Sequence, residues 1–191
     1  MNMPRVVVLG DSLAVSPTSQ LNFTTELQAR ADAAGVRVRL SNASTWGDTT
    51  ADGLRRLDAA LAINPQILVV ALGANDGLKG ISLSAVERNL DDIITRARER
   101  GIRVLLTGME TPPIISSGGF DYSIQFHLLF PRLAGRYNIP LVPFLLSGVI
   151  LNPKMNGPDG IHPNADGARR IATTVWPYLE PLVRQVAPAA A

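Results

Sequence analysis

No cysteine occurs among the 191 residues of this chain. That absence excludes a disulfide framework, a thiolate zinc site, an iron–sulfur cluster and a cysteine nucleophile together. Histidine is nearly as scarce, with only His127 and His162, and no HExxH pattern accompanies them. A catalytic metal is therefore not expected. Charge of one sign is also lacking, since 18 basic residues face 16 acidic ones for a net charge of +2. Lysine is confined to Lys79 and Lys154. The pI of about 9.4 thus reflects scattered, late-titrating arginines and not a strong field. Aromatics make up 5% of the chain and interleave with no basic patch, so no nucleic-acid partner is expected. Long hydrophobic runs are missing too. The longest uncharged apolar stretch, Ile139–Leu151, is broken by Pro140 and Pro143 and is too short to span a bilayer, so no integral membrane association is expected.

What remains is a folded, globular composition, 46% hydrophobic and 18% charged. The length suits one domain over residues 1–191, with 185–191 as a frayed tail. A strand-like run starts within five residues of Met1, leaving no signal peptide before it. The expected compartment is cytoplasmic if Met1 is the native start, and periplasmic or secreted if a leader was removed.

Strand-like and helix-like segments alternate along the chain. Arg5–Gly10, Val36–Leu40, Gln66–Leu72, Ile102–Thr107 and Ile139–Val142 read as strands. Between them lie helical spacings through Phe23, Leu27 and Ala31, then Leu54, Leu57 and Leu61. A longer helix, capped by Ser82 or Ser84, runs through Val86, Leu90, Ile93, Ile94 and Ala97 to Gly101. After a Pro/Gly-rich loop, Gly108–Gly119, come helices near Tyr122–Tyr137 and Asn164–Leu179. Five strands separated by helices imply an α/β fold with a five-stranded parallel sheet covered on both faces. In such sheets ligands bind beyond the carboxyl ends of the strands.

The loops at those ends carry the chemistry. Gly10-Asp11-Ser12-Leu13 follows the first strand, and Asn42–Thr49 (NASTWGDT) the second. Gly73–Leu78 (GANDGL) follows the third, and Asp159–Asn164 (DGIHPN) precedes the last helix. Serine is a poor nucleophile without an adjacent base. His162, in a Gly/Pro-flanked loop, is the candidate base, and Asp159 is close enough in sequence to hold its tautomer. His127 reads better as a packing or surface residue of a helix. A developing oxyanion needs fixed donors, available here as the Ser12 N–H, the Gly47 N–H and the Asn75 side-chain amide.

These four blocks, in this order, resemble those of the SGNH (GDSL-type) hydrolases over about residues 5–180. Within that family the chain is most similar to the bacterial multifunctional thioesterase, arylesterase and lysophospholipase group. The resemblance implies a flavodoxin-like three-layer α/β/α sandwich. It implies Ser12 as nucleophile, His162 as base and Asp159 as its orienting acid, with Ser12, Gly47 and Asn75 forming the oxyanion hole. One departure concerns the pocket: Trp46 stands where that group tends to carry a small residue. The context Gly10–Ala14 also lacks the second glycine of the G-x-S-x-G elbow, which argues against the ordinary α/β-hydrolase fold.

The expected function is hydrolysis of small acyl esters, and of thioesters, through a serine acyl-enzyme with no cofactor. On the same fold the alternatives are a carbohydrate O-acetylesterase, an acyltransferase, or a catalytically silent lipid- or glycan-binding module. No oligomeric state is implied. Asp11, Leu13, Trp46, Leu78, Ile114, Ile115, Phe120 and Ile161 are expected to contact substrate. Ile114, Ile115 and Phe120 form the apolar part of the loop after the fourth strand, where an acyl pocket can be walled.

Overall fold

The computed structural model describes residues 3–112 and 117–187. The β-branched run of β1 (Arg5–Gly10) is buried from Val6 onward, as a strand flanked on both sides and covered on both faces must be. β3 (Ile67–Ala71) is buried at every position and pairs with it in parallel, Gly10 lying opposite Ala71. β4 (Arg103–Thr107) extends the sheet, and β2 (Arg39–Asn42) and β5 (Leu141–Val142) form its edges. The order β2-β1-β3-β4-β5, all parallel, is that of the expected flavodoxin-like sandwich. The order in which strands are added reverses between β1 and β3, the point beyond whose carboxyl ends such sheets bind ligands.

Helices cover both faces. α1 (Phe23–Ala33) packs on α6 (Ala165–Val186), while α2 (Thr50–Leu61), α4 (Leu83–Glu99) and α5 (Gly119–Tyr137) pack side by side on the other face. A short α3 (Ala74–Lys79) follows β3. α4 shows why these helices dock: Val86, Leu90, Ile93, Ile94 and Ala97 recur every three or four residues and all are buried. Each such side chain contributes about 1.5–3 kcal/mol if large, less if alanine. Asn22 caps α1 by accepting from the Thr24 and Thr25 N–H groups. Ser82 stands at the start of α4, but its side chain makes no capping bond.

Two elements differ in extent from expectation. The alternation of Val36-Arg37-Val38 does bury both valines, yet the Val36 N–H donates to Ala31 and closes α1. Pairing with β1 begins only at Arg39, opposite Arg5. α6 runs through Pro177 and Pro181 to Val186, past the expected end at Leu179, so residues 185 and 186 are helical. Both prolines lie on its exposed face, where water can satisfy the carbonyls they leave unpaired, while Val175, Leu179 and Val183 keep the opposite face buried. The rest of the expected tail, 188–191, lies outside the described residues.

Candidate active site

A Cβ at Gly10 would stand 2.9 Å from the Ala71 carbonyl oxygen and 3.0 Å from Ser44 Oγ. Only glycine lets the chain leave β1 at this point. Asp11 then caps a single 3-10 turn, Ser12–Ala14, its carboxylate accepting from the Leu13 N–H at 3.0 Å. This turn presents Ser12 to a histidine 150 residues away. The Ser12 hydroxyl and His162 Nε2 are 2.8 Å apart, and His162 Nδ1 is 2.5 Å from Asp159 Oδ2. A carboxylate only accepts, so Nδ1 carries the proton and Nε2 accepts from Ser12. Asp159 Oδ1 also accepts from the Ile161 and His162 N–H groups, both at 3.0 Å. The imidazole and these two N–H groups hold the Asp159 carboxyl down at about 2, so it stays ionised near neutrality.

The loop carrying His162 is pinned on both sides. Asn156 pairs with Pro163, and the Gly157 N–H donates to the His162 carbonyl at 2.9 Å. Asn164 accepts from Asp166 and Gly167 as the cap of α6, and donates to the Lys154 and Asn156 carbonyls.

Two further loops face this pair. Gly47 has φ +77°, which a side chain would strain, and its exposed N–H donates to no group among the described residues. Asn75 sits in the first turn of α3, its Nδ2 donating to the Asp48 carbonyl at 2.9 Å and lying 3.5 Å from Asp11 Oδ2. The amide is thereby held between the loop after β2 and the turn after β1. Trp46, beside Gly47, packs its ring against His162 with centroids 4.7 Å apart.

Sequence reasoning missed the residues that fix these loops. Arg56 of α2 pairs with Asp48 and donates to the Ala43 carbonyl at 2.6 Å. Asp76, fully buried, accepts from the Thr50 N–H at 2.8 Å and the Thr50 hydroxyl at 2.7 Å. Its place in GAND beside Asn75 was the one available signal.

Expected substrate contacts divide. Leu13 is a core residue at 2% exposure and Asp11 is fully buried, so neither side chain offers a surface to substrate. Burial, with the negative charges of Asp76 and Asp48 adding to it, pushes the Asp11 carboxyl up to about 7. Phe120, in the first turn of α5, faces solvent at 67% exposure. Leu78 and Ile161 are half-buried, and the Leu78 carbonyl accepts from the Ser117 N–H and hydroxyl. Ile114 and Ile115 lie outside the described residues. His127 is exposed on α5, with Nδ1 3.3 Å from Glu110.

Residues 8–170 match the model of the GDSL-like lipase/acylhydrolase family. The chain is 38% identical to Esterase TesA of Pseudomonas aeruginosa over 93% of its own length and 89% of that protein. It is 33% identical to the Thioesterase 1/protease 1/lysophospholipase L1 of Escherichia coli K12, over 93% of its length and 84% of that protein. Among solved structures, that of TesA superposes with a TM-score of 0.86 at 37% identity, covering 93% of this chain and 99% of that one. The SGNH-hydrolase family esterase AlinE4 superposes with a TM-score of 0.77 at 31% identity, covering 99% of each chain.

Proposed function

This chain belongs to the GDSL-like lipase/acylhydrolase family and is a carboxylic ester hydrolase acting on small esters, and we propose that it works as a single domain through a Ser12 acyl-enzyme. The Ser12–His162–Asp159 chain of contacts, 2.8 Å and 2.5 Å, carries this reading. Ser12 Oγ attacks the ester carbonyl as its proton passes to His162 Nε2. The carbonyl π electrons move to oxygen, and the oxyanion is held by the Ser12 N–H, the Gly47 N–H and the Asn75 amide. Collapse of the tetrahedral intermediate breaks the bond to the alcohol oxygen, which leaves with the proton from Nε2. Water then attacks the acyl-enzyme, again losing its proton to Nε2, and the acid departs as Ser12 recovers its hydrogen. Asp159 stays a carboxylate throughout, orienting the ring and stabilising the imidazolium.

A series of p-nitrophenyl esters from acetate to palmitate, run on wild type and Ser12→Ala, tests this. Wild type is expected to turn over part of the series, and the variant to lose at least about 10⁴-fold in kcat. Turnover that survives in Ser12→Ala overturns the nucleophile.

A further inference from the structure

Trp46 is 59% exposed, an apolar indole left open to solvent beside the Ser12–His162 pair. Its ring centroid lies 4.7 Å from that of His162, with the planes 43° apart. The loop beneath it is not loose: Thr45 donates to the Gly10 carbonyl at 3.2 Å, and Arg56 ties down Asp48 and Ala43. An exposed aromatic ring on a pinned loop, against the imidazole, is a prepared surface.

Its place in the reaction follows from two neighbours. The Gly47 N–H belongs to the peptide that Trp46 itself begins, so the Trp46 backbone borders the oxyanion. His162 Nε2 must stand within about 3 Å of the oxygen it protonates as the alcohol departs. Whatever group that oxygen carries is therefore held beside the imidazole against which the indole packs, within reach of its exposed ring. The acyl substituent, on the same carbon, points away from His162.

We propose that Trp46 is the platform for the alcohol side of the ester, and that it selects flat aromatic alcohols over small aliphatic ones. The inference rests on the Ser12–His162 reading above and adds to it the leaving group that the site favours. An aromatic ring stacked on an indole is favoured over a small alkyl group both by area and by ring–ring geometry. No proton or bond is handled by Trp46; it acts by contact with substrate.

Phenyl butyrate and trifluoroethyl butyrate test this, because both pass through the same butyryl-enzyme and kcat/KM reports only the steps up to loss of the alcohol. For Trp46→Ser, kcat/KM on the phenyl ester is expected to fall about fivefold and on the trifluoroethyl ester by less than about twofold. Trp46→Phe is expected to restore most of the phenyl rate. Equal losses on the two esters overturn the proposal, since Trp46 would then act on His162 for every substrate, and so does an unchanged phenyl rate. Ser12→Ala is run on the same pair. If it stays active, the acyl-enzyme reading fails and the platform with it; if it is inactive while Trp46→Ser loses equally on both esters, only the platform fails.

Discussion

Asn75 shows how a single side chain is prepared for charge that exists only in passing. Its amide is not free to turn: Nδ2 donates to the Asp48 carbonyl at 2.9 Å and, in a long bond of 3.5 Å, to Asp11 Oδ2. With Nδ2 fixed between two loops, the N–H in the long 3.5 Å bond to Asp11 Oδ2 is the one an oxyanion would take over, a small exchange for a donor already in place. Asn75→Ala is therefore expected to lower kcat on p-nitrophenyl butyrate by about 10²–10³-fold, with KM little changed. Circular dichroism should show the variant folded. A variant with full kcat would remove Asn75 from the oxyanion hole. Asp159 is prepared in the same sense, since two backbone N–H groups hold the oxygen that His162 does not use.

At the scale of elements, α2 matters beyond its share of the core. Thr50, its first residue, has an N–H that no helix partner can satisfy, and the buried Asp76 of α3 accepts both that N–H and the hydroxyl. Asn89 of α4 donates to the same hydroxyl at 3.0 Å. Three helices thus meet at one threonine beside the site. Asp76→Ala leaves two buried donors short of an acceptor, at a cost of about 2 kcal/mol. Thermal melts should place its Tm about 4–8 °C below wild type. An unchanged Tm would mean that water replaces the carboxylate. None of this was legible in the sequence, because Thr50 and Asp76 are 26 residues apart and their meeting depends on the sheet order. What could be read was local. RVVVLG gave away β1 through its β-branched run, the leucine and isoleucine spacing gave α4, and DGIHPN showed a base with its acid three residues before it. β2 was misplaced because alternation records burial, whereas strand extent is set by pairing with β1. α6 was cut short because prolines are helix breakers only where their lost bond is buried. Trp46 was legible as an unusual residue, but its contact with His162 was not.

Across the whole molecule, the carboxyl edge of the sheet gathers buried acids. Asp11 and Asp76 are both fully buried and both pushed upward, Asp11 to about 7. The folded chain therefore keeps a proton on Asp11 at pH values where the unfolded chain, titrating near 3.9, has lost it. That contribution to stability is fully present below about pH 4 and is lost as pH rises through about 7. Asp11→Asn, neutral at every pH, escapes the loss. Its Tm advantage over wild type should widen between about pH 4 and pH 7 and level off above. A gap that stays constant with pH would show that Asp11 is already charged in the fold. A last consequence lies in the order of the chain. Ser12 and His162 are separated by 150 residues, so on the ribosome the hydroxyl emerges long before its base. At about 5–20 residues per second the nascent chain spends about 8–30 s carrying a serine with no partner. Newly made protein is thus inert toward the cell's esters until its C-terminal part is translated and folded against the first strand.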